Sequence, residues 1–296
     1  MAPNKIQPLP PLPPRPARGT VRLPTIRPVP LGAPLTWLAL GWRDLWRCGP
    51  WGLLHGLVLA FFGALLVLGA GDRFWLLMSA FSGFLVVAPV LATSLYALSR
   101  ALERGEPVGL ATIVRTWTRW QHSRFAAHGG YWSLVRFGLL LSLAGTGWVL
   151  TSAALITALA PQPVATPMDF VRHVVLAPGG HVFELWLMLG GLLAAPLFAS
   201  SVVAMPLLLD RRASLRLAVL TSWQVVLANP LPMAFWAALI LGFTLLGLGS
   251  LLLGLVFVMP MLGHASWHAY RDLVDASSLP LRDTSAPQGQ RSGVVS

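Results

Sequence analysis

Five stretches of this chain run for about twenty residues or more with almost no ionisable side chain: 51–70, 74–98, 134–160, 182–209 and 231–263. A helix needs about 20 such residues to cross the hydrocarbon core of a bilayer. Only 10% of the chain is charged and 55% is hydrophobic, where a soluble domain carries about 25% charged residues. Most of the surface must therefore face something other than water. The composition predicts an all-α, polytopic transmembrane bundle.

The formal net charge is +11, almost all from arginine, with Lys5 the one lysine. Nucleic-acid binding is one reading of that excess. The arginines, however, sit in short loops between apolar runs, which is the positive-inside pattern of membrane proteins. The single Cys48 excludes an intramolecular disulfide framework and a cysteine-rich metal cluster.

Eleven of the 25 prolines fall in residues 1–34, together with Lys5, Arg15, Arg18, Arg22 and Arg27 and no acid. Proline removes backbone donors and favours extended polyproline II, so 1–34 reads as a disordered basic tail lying near anionic lipid. Its Pro-x-x-Pro spacing also allows a partner-binding role. Residues 35–275 read as the membrane domain and 276–296 as a second disordered tail.

Ahead of the first span, Leu35, Leu38, Trp42, Leu45 and Trp46 recur at helical spacing, with Thr36, Arg43, Asp44 and Arg47 opposite. That pattern predicts an amphipathic helix in the headgroup layer. Segments from 107 and 213 repeat the type. The first sets Leu110, Ile113, Val114, Trp117 and Trp120 against Arg115 and Arg119, and the second contains Trp223. Pro50 and Asn229-Pro230 break the chain before apolar runs, and Pro89, Pro206 and Pro260 are expected to kink spans. A longer loop is expected over 161–181. The order amphipathic helix, span, proline-bearing span thus recurs three times, an echo that apolar sequence of low complexity also generates.

The run 231–263 exceeds one ordinary span at about 1.5 Å per residue. A hairpin turning at Gly247–Ser250 makes six spans and puts both tails on one side. All 21 Lys and Arg residues except Arg73 and Arg172 then share that side. Five spans would move Arg271, Arg282 and Arg291 across. The charge asymmetry selects six spans with both termini cytoplasmic.

Polar chemistry is densest where the last run ends, at Pro260 to Leu273. His264 and His268 share a helical face, and His55 lies about a turn into the first span. Imidazoles so spaced can ligate a metal or haem, given further ligands. They can equally hydrogen-bond at the interface, with Trp267 and Tyr270 as belt residues. Arg43-Asp44 and Arg271-Asp272 allow crosswise ion pairs, or each is solvated among headgroups. Inside the spans ionisable residues are nearly absent. Glu184 and Asp210 mark the two edges of the fourth span, which argues against a mid-membrane proton relay. Gly52/Gly56 and Ser79/Gly83 are small-residue pairs suited to close helix packing. No phosphate-cradling loop, serine nucleophile motif or metal-ligand run is present.

The pieces Gly41-Trp-Arg-Asp44, Gly83–Val90, Tyr96-Ala-Leu-Ser-Arg100, Glu103-Arg-Gly-Glu106 and Gly263–Asp272 resemble a bacterial family of integral membrane proteins, domain of unknown function 2189. Some members bear a cytochrome c oxidase subunit I label. A haem–copper oxidase core needs more histidines than the seven here. The resemblance implies a multi-pass protein of the bacterial inner membrane and transfers no catalytic residue. The leading expectation is a non-enzymatic carrier or channel for a small solute or lipid, or a membrane assembly factor, with no cofactor, metal or nucleic-acid partner. Its partners would be the bilayer and a small-molecule substrate. The second is a respiratory or metal-associated subunit using His55, His264 and His268. The third is a scaffold that binds partners through the proline-rich tail. The expected polar cluster comprises Arg43, Asp44, His55, His264, Trp267, His268, Tyr270, Arg271 and Asp272.

Overall fold

The computed structural model describes residues 23–70, 91–122 and 132–282. Pro89, Ser79/Gly83 and residues 1–22 of the basic tail lie outside these. So does the larger part of the predicted second span, whose end forms the helix at 91–103.

The elements follow from the breaks in the sequence. Helix α1 (Ala33–Arg47) ends at Cys48. Gly49 then takes φ +58°, a left-handed conformation that glycine adopts without a side-chain clash. Pro50 opens α2 (Pro50–Ala70), at a position where its missing N–H costs nothing. Residues 91–103 form α3, and α4 is Leu110–His122. Helices α5 (Trp132–Leu159) and α7 (Val182–Ser201) are joined by an ordered connection rather than an open loop. In it Thr166 and Asp169 form a capping box at α6 (Pro167–Phe170), and a π-helical turn, Val171–Val175, follows.

Proline disrupts the turn four residues before it. The long helix accordingly breaks at Val202–Val203 ahead of Pro206 and resumes as α8 (Ala204–Asp210). Pro196 and Pro260 lie within helices. Helix α9 (Leu215–Ala228) ends at Asn229, and Pro230 opens α10 (Pro230–Gly249). The chain turns over Ser250–Gly254 and enters α11 (Leu255–Leu273). Leu251 and Leu252 both take positive φ in that turn, and the Gly247 Cα lies against Gly254.

Among the described residues, four stretches are long and apolar enough to cross a membrane: Pro50–Gly69, Trp132–Leu159, Val182–Asp210 and Pro230–Gly249. Their outer faces present Leu57, Phe61, Leu143, Met188, Leu192 and Leu246 to the surroundings, as helices that face lipid do. Helix α11 is not apolar enough along its length to join them.

The order of short helix, long helix and third helix recurs three times: α1–α2–α3, α4–α5–α7/α8 and α9–α10–α11. Each short helix packs on the third helix of the preceding unit. Helix α1 lies along α11, with Trp46 against Phe257. Helix α4 sets Ile113 against Leu98 of α3. Helix α9 places Ser222 Oγ on the Val203 amide at the start of α8. The pattern closes into a ring, and the ends of the three third helices converge.

Helix α1 is rotated from its predicted orientation. Leu35, Trp42 and Trp46 face outward, while Trp37, Leu38, Gly41, Asp44 and Leu45 are buried. The reason is Gly41. A Cβ there would lie 2.6 Å from Met261 O and 2.7 Å from Ala265 N, so only a bare backbone lets α1 seat against α11. Gly56 makes the same close approach of α2 to Val256. Helix α4 departs from expectation too. Thr112 and Ile113 are buried, whereas Leu110 and Val114 are exposed.

Residues flanking the domain, expected as tail, are ordered. Thr25–Ile26 pairs antiparallel with Val274–Asp275. Val29 N donates to Asn229 Oδ1. Residues 276–282 fold back so that Arg282 N reaches Asp210 O and Leu279 is buried. Backbone pairing with the domain satisfies the groups that an isolated tail would leave to water.

Candidate functional site

The third helices converge on two buried carboxylates. Asp44 on α1 is 2% exposed. Its Oδ2 accepts from His268 Nε2 at 2.7 Å and from Ser99 Oγ at 3.0 Å. The Ser99 oxygen in turn accepts the His264 Nδ1–H at 2.8 Å. Ser99 has one proton and gives it to Asp44, so His264 bears its proton on Nδ1. The other nitrogen, Nε2, is enclosed and meets no hydrogen-bonding partner among the described residues. A buried polar atom left unpaired costs about 1–3 kcal/mol, which makes this atom the most conspicuous in the network. Burial pushes the Asp44 carboxyl up, but His268, Ser99 and His264 outweigh it and hold it below its ordinary value.

Asp210, at the end of α8, is also 2% exposed. Its Oδ1 lies 3.1 Å from Arg104 Nη2 and its Oδ2 2.9 Å from Arg211 Nε. Tyr270 Oη–H donates to Oδ2 at 3.0 Å. Arg100 closes the same corner by donating to Leu209 O. The two centres flank α3, with Ser99 facing one and Arg104 the other.

All but His55 of the nine residues of the expected cluster lie together at one end of the bundle. Trp267 and Tyr270 are not belt residues. Both are buried, and the Trp267 indole N–H donates to Glu103 Oε2. The crosswise ion pairs do not form either, because Asp44 turns inward to His268. Arg271 pairs with Glu103 at 2.8 Å, and Asp272 accepts from Trp37 Nε1 at 2.8 Å. Arg43 stays mostly exposed, 4.0 Å from Asp44.

His55 stands apart, inside α2. Its Nδ1 donates to Trp51 O, and its Nε2 meets Ser94 Oγ at 2.6 Å. Among the described residues, no group of three His, Cys, Asp or Glu side chains is placed to hold a metal ion. Burial, reinforced by Asp44, pushes the Cys48 thiol up to about 12, which keeps it an unreactive thiol.

Beside His55 a cavity of about 190 Å³ opens between α2, α3, α10 and α11. Leu59, Leu95, Ile240 and Met259 give it an apolar wall, into which His55, Tyr96, Thr244 and Ser266 bring a few polar atoms. Leu262 and Gly263, the neighbours of His264, complete its α11 side.

Sequence reasoning did not single out Ser94, Ser99 and Glu103 as partners, nor Arg104 and Asp210. The available signal was spacing: Ser99 and Glu103, four apart on α3, share a face as His264 and His268 do on α11.

Residues 76–210 match the family model described as a predicted integral membrane protein, DUF2189. That stretch is similar to the family. No curated protein and no solved structure matches the chain. The DUF2189 stretch contributes Ser99, Glu103, Arg104 and Asp210. Their partners His264, Trp267, Tyr270 and Arg271, together with Asp44, lie outside it. Each polar centre is thus completed across the boundary of the family match. Of the pieces that carry the sequence resemblance, Gly83–Val90, Tyr96–Arg100 and Glu103–Glu106 fall within it.

Proposed function

We propose that this chain is a non-enzymatic carrier of the bacterial cytoplasmic membrane. It would span the bilayer six times with both termini cytoplasmic, and hold a small apolar or amphipathic molecule, such as a lipid chain, between α2, α3, α10 and α11. The observation behind this reading is the cavity: apolar walls with a few polar atoms are the usual lining of a small-molecule site. The densest polar residues, by contrast, are spent on one another. Asp44, Asp210 and Glu103 bind partners within the fold rather than facing a cleft, as structural groups do. The six-span arrangement rests on the turn at Ser250–Gly254 and on the arginine asymmetry, with α11 as a sixth helix whose polar half is sheltered by α1 and α3.

Native mass spectrometry of the protein released from nanodiscs tests the proposal. One lipid or fatty-acid molecule per chain is expected, and Thr244→Trp, which fills the cavity, should lose it. A wild-type protein that binds no such molecule, or a Thr244→Trp variant with unchanged occupancy, would remove the case for a carrier.

A further inference from the structure

We infer that the turn between α10 and α11, Ser250–Gly254, is seated among the acyl chains of the leaflet opposite the termini, and not in water, so that lipid tails are the partner of its leucine tip. The termini keep the side given by the six-span reading above, on which this rests. What is added is the depth of the last turn.

The chain's other connections on that face are built for water. Residues 70–73 include Asp72 and Arg73, and 161–181 include Gln162, Asp169, Arg172 and His173. Residues 246–256 hold only leucine, glycine, one valine and one serine. Their side chains are not tucked away. Leu251 is 86% exposed and Leu253 69%, and Leu246 and Leu248 are exposed beside them. A contiguous apolar surface of this kind marks contact with a membrane or a partner.

The backbone of the turn closes on itself. The amides of Ser250, Leu252, Leu253, Leu255 and Val256 donate to the carbonyls of Leu246, Leu248, Ser250, Leu252 and Leu253. The one hydroxyl is consumed as well. Ser250 Oγ donates to Gly247 O at 2.9 Å and accepts from Gly254 N at 2.8 Å. Hydrocarbon offers no hydrogen bonds, so a turn within it must supply its own. Leu251 and Leu252 hold φ of +56° and +69°, a region that L-residues with side chains seldom adopt. Leucine at these positions makes sense where its side chain gains acyl contacts.

The depth follows from α2. A Cβ on Gly63 would lie 2.9 Å from Leu252 Cδ1, so the tip touches α2 at that level. Helix α2 continues from there to Ala70, about 10 Å farther at 1.5 Å per residue. Beyond the tip it exposes Val67 and Leu68, which carries the apolar surface past the turn. Helices α10 and α11 therefore pass the midpoint of α2 and turn before its end. A hairpin that turns inside the bilayer returns the chain to the face it came from, so both termini stay together.

The test places a nitroxide at the tip, in protein reconstituted into nanodiscs. Cys48→Ala removes the native thiol, and Leu251→Cys, Leu253→Cys or Gln162→Cys supplies the labelled site. Power-saturation EPR compares relaxation by oxygen, which concentrates in hydrocarbon, with relaxation by a water-soluble nickel chelate. Oxygen should dominate at 251 and 253, and nickel at 162. Leu253→Cys lies outside the left-handed pair and serves if Leu251→Cys does not fold. Nickel relaxation at a tip site as strong as at 162 would put the turn in water and overturn the inference. Shielding from both reagents would put a second copy of the chain on the tip and overturn it too. Cavity occupancy is read separately by mass spectrometry. An aqueous tip with lipid still bound sinks this inference alone, while an embedded tip with nothing bound sinks the carrier alone.

Discussion

Asp44 and Asp210 are equally buried and sit at the same end of the bundle, yet their charges are balanced by opposite means. Asp210 is held by two guanidinium groups and a phenol. Arginine does not give up its proton in proteins, so this centre is fixed. Asp44 is held by a histidine and a serine whose oxygen reaches a second histidine. That centre is closed by hydrogen bonds, with Arg43 standing 4.0 Å off. The difference separates an ion-pair clasp from a hydrogen-bonded seam. The clasp ties α8 to the end of α3, to α11 and to the 276–282 return. The seam ties α1 to α3 and α11.

If that contrast is right, the clasp costs more to lose. Removing one partner of a buried ion pair strands the others, typically at about 3–5 kcal/mol. Asp210→Ala strands Arg104, Arg211 and Tyr270 together and is expected near that range, seen as a large drop in the thermal midpoint of the protein in detergent. A drop no larger than that of Asp44→Asn would break the distinction.

Asp44→Asn comes next. No arginine loses a close partner here, so the loss should be nearer the about 1–3 kcal/mol of an unmade buried hydrogen bond. It also carries a pH signature. The folded protein holds the Asp44 carboxyl below its ordinary 3.8. Its stabilising share is therefore complete above that pH and is lost as pH falls through the lower, folded value. The stability gap between wild type and Asp44→Asn should be constant around neutrality and close in acid. A gap that widens in acid would contradict the assignment of His268 and Ser99 as the groups that stabilise the carboxylate.

Much of the fold was legible because burial in lipid leaves a strong signature. The apolar runs at 51–70, 134–160 and 182–209 became long helices, the run 231–263 became α10 and the start of α11, and Pro50 and Asn229-Pro230 became breaks. The face of α1 was not legible. Tryptophans at 42 and 46 outweigh a glycine on any hydrophobic wheel. Yet Gly41 sets the contact by having nothing to offer, and Asp44, one turn on, goes inward with it. The partners of the buried acids were equally hidden. Ser99 and His264 are 165 residues apart, and their shared spacing of four names a face without naming what the face meets. The short strand at 274–275, at the end of the expected membrane domain, was not legible, because its order depends on a pairing with Thr25–Ile26.

Tyr270→Phe sharpens the clasp itself. It deletes one donor to Asp210 and leaves both arginines in place, so the cost should be about 1 kcal/mol, that of a single net hydrogen bond. Chemical unfolding of the two proteins side by side would show it. A loss as large as that of Asp210→Ala would make the phenol, not the guanidinium pair, the main holder of the charge.

The smallest effect belongs to Glu103, which is more exposed than Asp44 and Asp210. Glu103 joins Arg271 at 2.8 Å and the Trp267 indole at 3.0 Å, but the ion pair is open to solvent, with side chains 41% and 38% exposed. Exposed pairs contribute about 0–1 kcal/mol, because water screens the charges and ordering two long side chains costs entropy. Glu103→Gln keeps an acceptor for Trp267 and removes only the charge, so its thermal midpoint should stay close to wild type and its small deficit should vanish at high salt. A deficit that persists in salt would mean that Glu103 belongs with Asp210 as a buried lock, and that the clasp extends from α8 along the whole polar edge of α11.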